Sequence, residues 1–319
     1  GRAVRALRDF MELTWIWIPI SVFAALMQAV RTAAQKTLNQ SMSTMGTTYV
    51  RSLFGMPTLI VFLGAAILYT GHRIPKYNPA FLLHTAVAAL TQVLATALLI
   101  HMFRLKNFAV GTMLTKTDII MTALIGTALF SEQLTQLGWV ALVVVVCGTI
   151  LMLVGRMGTA AFRESGETLS GLLAGRPTRV ALMCALLFSL SYLFLREATR
   201  DLGEQHHFLW RAGWTVVLAT GLQTVCLGIW LAVKEPVVFR QMWPMRGIAS
   251  FIGLTSALGS IGWYSAFALQ NASYVRAVGQ IEAVFTMAIS WLYFREKVTA
   301  LELIGIVVTV AGVLMFRLV

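Results

Sequence analysis

Charge is scarce in this sequence: Asp, Glu, Lys and Arg make up 12% of 319 residues, about half the share of a soluble chain. A surface so poor in ions cannot face water over most of its area, which excludes an ordinary soluble enzyme or binding domain. Cysteine is scarce too, and Cys147, Cys184 and Cys226 stand alone, without the paired spacing of a metal site or disulfide framework. The histidines His72, His84, His101, His206 and His207 have no metal spacing beyond the one adjacent pair. No glycine-rich nucleotide loop and no Ser-His-Asp set can be assembled, so no cofactor, metal or catalytic centre is expected. Any work the chain does must then draw on a source other than its own nucleotide hydrolysis.

What the chain has in excess is apolar length. Hydrophobic residues make up 58% of it, arranged in ten runs near the roughly 20 residues needed to cross a bilayer, with short polar joints between them. The expected fold is an all-α integral membrane protein of ten transmembrane helices. A basic segment, 1–14, precedes a first five-helix unit over 15–155; a Gly-, Ser- and Arg-rich linker, 156–178, leads to a second unit over 179–317. The chain opens on Gly1, which leaves room for residues upstream, and Arg2 to Glu12 is too polar for the apolar core of a signal peptide. The net charge of +12 is spread over the joints, as in Arg73/Lys76 and Arg295/Lys297. Spread in that way, it meets lipid headgroups rather than nucleic acid.

The two units are copies. At an offset of 164 residues the second half matches the first without a gap from about Leu90 to Met152, and the polar pairs carry the weight: Asn107/Asn271, Thr122/Thr286, Glu132/Glu296 and Thr135/Thr299, with Asp118 opposite Glu282. Five spans per copy is an odd number, so the second copy enters the membrane upside down. Inverted five-helix repeats are an architecture of secondary transporters, in which the halves exchange shapes around a central site.

Ser131-Glu132-Gln133-Leu134-Thr135 before one apolar span and Arg295-Glu296-Lys297-Val298-Thr299 before the other resemble the signature closing each half of the drug/metabolite transporter superfamily, in its two-repeat, EamA-type branch. Gln280 to Phe285 also looks like the family's penultimate span, without the proline that often follows there. The resemblance implies ten helices, both termini in the cytoplasm of a bacterial cell with the helices in its inner membrane, and a cavity lined by the first four helices of each half. It also implies transport of amino acids, nucleotide sugars or other metabolites. The positive-inside rule leans against that orientation, because more Lys and Arg fall in the joints it places outside.

The signature itself has a structural reading. Thr135 and Thr299 stand where N-caps belong, Thr299 with Glu302 fits a capping box, and Glu132 and Glu296 would sit near a helix start, favoured by its positive end.

The functional candidates are the ionisable groups inside the spans. An ionised acid at a helix centre costs roughly 2.5–3.5 kcal/mol, so Asp118 in the fourth span and Glu282 in the ninth are expected to face a cavity. Helical spacing places Thr122 and Thr286 on the same stripes. The two acids suit a cationic or zwitterionic substrate, a coupling proton, or both. The alternative is a buried ion pair with Arg211, Arg276, Arg51 or Lys116. Arg211 and Arg276 are candidates to fix a substrate carboxylate, Trp263 and Tyr264 to offer ring faces, and Gln28 and Gln92 are polar groups that need partners away from lipid. Lys116 falls on the face away from Asp118.

The expected function is therefore secondary-active transport of a small metabolite such as an amino acid or amine by alternating access, with protons as a candidate coupling ion. An uncoupled facilitator, a membrane enzyme and a scaffold subunit are the alternatives. The expected partners are a small-molecule substrate, membrane lipid and protons, with no nucleic acid. Small residues such as Gly253, Gly262, Gly305 and Gly312 permit close helix contacts within one chain or in a homodimer.

Overall fold

A computed structural model describes residues 15–38, 41–72, 74–76, 78–102, 114–157, 176–292, 295 and 298–319. The basic segment 1–14, most of the linker, Asn107 and Glu296 lie outside the described residues. The described chain is all-helical. In the first half α1 spans Trp17–Leu38, α2 Thr44–Thr70, α3 Pro79–Met102, α4 Asp118–Leu129 and α5 Gln136–Met157. In the second, α6 spans Arg176–Asp201, α7 Phe208–Lys234, the short α8 Val238–Gln241, α9 Arg246–Leu269, α10 Ala272–Val278, α11 Ile281–Leu292 and α12 Ala300–Met315.

Eight of these, α1, α2, α3, α5, α6, α7, α9 and α12, are long and apolar enough to cross a bilayer. Their outer faces are what lipid requires: Val61, Ile229, Leu303 and Leu129 are all more than half exposed, whereas Ser, Thr, Gln and Arg side chains are buried inside. A soluble protein has the opposite arrangement.

The fourth and ninth spans differ from the expectation of continuous helices. Residues 116 and 117 form a turn, and α4 starts at Asp118; Gly279 and Gln280 form another between α10 and α11. Both breaks close with tight backbone bonds, Thr117 N–H to Leu114 C=O at 3.1 Å and Gln280 N–H to Ala277 C=O at 3.1 Å. Each acid thus lies in the first turn of a new helix, where the unpaired amides favour negative charge.

The repeat is visible in the backbone. Among the described non-glycine residues, only Ser131 and Arg295 have positive φ, 54° in both cases, and they are 164 positions apart. At Ser131 this left-handed turn ends α4, and the Glu132 N–H returns to the Gly126 carbonyl at 2.9 Å. The caps fall where the signature places them: Gly138 N–H donates to Thr135 Oγ1 at 3.0 Å, and Thr299 with Glu302 forms a capping box.

The last long helices of the two halves, α5 and α12, pack on each other through glycine. A Cβ on Gly148 would lie 2.5 Å from the Thr309 nitrogen, and one on Gly305 2.6 Å from the Met152 nitrogen, so larger residues would force the backbones apart. Gly253 against Phe54 and Gly262 against Ala24 are likewise contacts within the chain.

Trp17 at the start of α1 and Tyr274 of α10 both pack on Phe316 at the end of α12. The end of α6 reaches the same face, where Arg196 meets Glu132. The first helices of the two halves therefore run in opposite directions. Ser43 and Glu235, joined by a hydrogen bond, lie at the opposite face with the start of α2 and the end of α7.

Candidate functional site

The centre of the bundle holds a cavity of about 320 Å³, within the range of small-molecule sites. Its lining comes from α1, α2, α3 and the α4 start in the first half and from α6, α7, α9 and the α10/α11 break in the second; neither α5 nor α12 contributes a lining residue.

On α1, Gln28 and Arg31 are three residues apart and share a face. Gln28 bridges the halves: its amide donates to Glu282 at 2.5 Å, and its carbonyl accepts from the Trp263 indole at 3.0 Å. Arg51 and Ser52 enter from α2. Gln92 on α3 accepts from Gln223 on α7 at 2.7 Å. The break at residues 116 and 117 turns Lys116 into the cavity, contrary to the helical projection that placed it on the far face.

The two acids have different partners. Asp118 is buried and forms an ion pair with Arg276 at 3.1 Å. The Arg276 guanidinium also lies 4.2 Å over the Tyr192 ring and 5.7 Å from that of Trp263. Asp118 Oδ1 and Arg276 Nε have no partner among the described residues. Glu282 is only half-buried and is held by a neutral amide. At the α10/α11 break a Cβ on Gly279 would lie 2.5 Å from the Trp263 ring, so glycine lets that ring close over the turn.

Of the residues selected from sequence, Asp118, Glu282, Arg276, Trp263, Tyr264, Gln92 and Gln28 line this cavity. Arg211, Thr122 and Thr286 do not. Arg211 spends its donors on the carbonyls of His206 at 3.2 Å and Ala268 at 2.9 Å, near the face holding both termini. Thr122 is turned back onto its own helix, donating to the Asp118 carbonyl at 2.6 Å. Thr286 is half-buried on α11, one turn beyond the lining. Trp210 packs in a separate cluster with Phe81 and Leu202.

Sequence reasoning passed over Arg31, Arg51 and Tyr192 as site residues. A stripe running from Gln28 to Arg31, and a polar one on α2 from Thr48 through Arg51 and Ser52, were the signals available.

Below the cavity, toward the termini, the halves are joined by a polar seal. Glu132, buried, accepts from Ala272 N–H at 2.6 Å, from Ser273 N–H at 3.4 Å and from Ser273 Oγ at 2.5 Å. It caps a helix of the other half, whereas the sequence suggested the helix that follows it. Arg196 is 3.5 Å from the same carboxylate and donates to the carbonyls of Phe267 and Gln270. Tyr274 Oη accepts from Thr135 N–H at 2.9 Å.

The sequence pattern of the EamA-like transporter family matches residues 15–154 and again 179–318. The chain belongs to the EamA-like transporter family. It is accordingly an integral, multi-pass membrane protein of the drug/metabolite transporter type, with two copies of the family unit. No curated protein matches it. A solved crystal structure shares its fold, with a TM-score of 0.69 over 96% of this chain and 96% of that one at 15% identity. The first EamA match ends in the last turn of α5 and the second just past α12, and the cavity lies between the two.

Proposed function

We propose that this EamA-like chain is a secondary-active carrier that moves a small polar solute by alternating access, with two inverted five-span halves exchanging roles around the central cavity. The observation that carries the reading is the cavity's construction: both halves wall it, and the seal toward the termini includes hydrogen bonds and an ion pair between halves. Bonds of that kind can be broken and remade without disturbing the core of either half. With both termini in the cytoplasm, as the family implies, the sealed face is the cytoplasmic one.

Glu282 is the group for a coupling proton, since Asp118 is engaged by Arg276 whereas Glu282 has a neutral partner. The test is exchange of labelled solutes by purified protein in liposomes, with and without a pH gradient. Saturable counterflow of an unmodified solute is expected. Covalent turnover of the solute would replace the carrier with an enzyme, and absence of counterflow across a broad metabolite panel would leave a scaffold.

A further inference from the structure

The cavity wall carries four cations, Arg31, Arg51, Lys116 and Arg276, against two carboxylates, Asp118 and Glu282. Both carboxylates are engaged, Asp118 by Arg276 and Glu282 by the Gln28 amide. Arg31 and Arg51 are not: among the described residues neither makes an ion pair or hydrogen bond, and Arg31 Nε is buried without a partner.

Two guanidiniums inside a membrane bundle are costly, and they cannot shed the charge as a lysine or a carboxyl can. Purely structural arginines in this chain are treated otherwise: Arg196 and Arg211 are bonded to carbonyls at the seal. Arg31 and Arg51 instead both line the open cavity.

We propose that the cavity selects a small organic anion, whose carboxylate or phosphate group is held by Arg31 and Arg51; the inference rests on the carrier reading and specifies its solute. The guanidinium fork matches the paired oxygens of either group. Phe188, Tyr192 and Phe267, which stack in sequence with ring centroids 6.0 Å apart, also line the cavity and supply apolar surface for the organic body. Ser52 and Gln223 add neutral polar atoms. A cation is poorly served here: Asp118 is already neutralised, and a cation approaching Glu282 enters the field of Arg31.

The experiment measures thermal stabilisation of the purified full chain by matched probes: benzoate against benzylamine, succinate against putrescine, and glycerol phosphate against glycerol. Stabilisation is expected from anionic members alone. Arg31→Gln and Arg51→Gln each weaken the tightest anion about tenfold or more, while the exposed Arg240→Gln leaves it unchanged. Because each variant removes an unpaired buried charge, its unliganded melting temperature is expected to hold or rise, which a structural arginine would not allow. Stabilisation by amines or glycerol but not by acids overturns the inference, as does anion binding that survives both substitutions, or no binding by any probe. Anion binding that depends on both arginines, without exchange in liposomes, would instead sink the carrier reading and leave the anion site standing.

Discussion

Asp118 and Glu282 occupy the same position in two copies of one unit, each in the first turn of a helix that follows a break, and their surroundings have diverged. Asp118 is 4% exposed and bound to Arg276, a residue of the other half. Glu282 is half-buried and reached by an amide from the other half. Duplication supplies two acids at one depth, and the neighbours decide what each can do. An acid held by a guanidinium fixes helices relative to one another. An acid held by a neutral amide has no counter-charge bound to it.

The sharpest way to break this comparison is to take away the partner of Asp118. Arg276→Met leaves a carboxylate buried with nothing to balance it, and loss of one partner from such a pair costs about 3–5 kcal/mol. The expected result is a large fall in the unfolding midpoint in micelles, with most of it recovered in the double variant Asp118→Asn/Arg276→Met. If Arg276→Met is as stable as the native chain, Asp118 is not held by the ion pair.

The next largest effect falls at the seal. Glu132→Gln keeps the shape but loses the charge that accepts from the start of α10 and faces Arg196. Hydrogen bonds to a charged group are worth about 1.5–3 kcal/mol, and a loss in that range is expected by denaturant or thermal unfolding. A loss below that range would mean that the seal is solvated rather than buried.

Much of this was legible in the sequence because it is periodic or local. The offset of 164 reappears as the paired left-handed residues Ser131 and Arg295, and the threonine caps need only neighbours three residues away. The helix breaks were not legible: the apolar pattern continues through Lys116–Thr117 and Gly279–Gln280 with no proline to mark them. Lys116 was misplaced for that reason, because a projection around one axis fails where the axis is interrupted. Arg211 and Arg276 look alike as isolated intramembrane arginines. What separates them is whether carbonyls or a carboxylate lie within reach, and that depends on contacts between segments far apart in sequence. Glu132 shows the same limit, since the amides it caps lie 140 residues downstream.

The smallest effect on stability and the most telling one for mechanism is expected at Glu282. Glu282→Gln retains an acceptor for the Gln28 amide, and with no ion pair to lose the cost should stay under about 1 kcal/mol. Its charge matters for linkage. Arg31 and Arg276 are the cations whose field reaches Glu282, with Asp118 and Tyr192 also close to that group of charges. A carboxylate at this position draws on the same cations that an anion on Arg31 and Arg51 needs, so neutralising it and seating an anion favour each other, and that coupling is reciprocal. Glu282→Gln, which removes the charge and keeps the shape, should therefore bind the tightest anion more strongly than the native chain, read by thermal stabilisation at one pH. Equal affinities in the two proteins would place the coupling proton on another group, and Asp118 and Glu282 would then differ in packing alone.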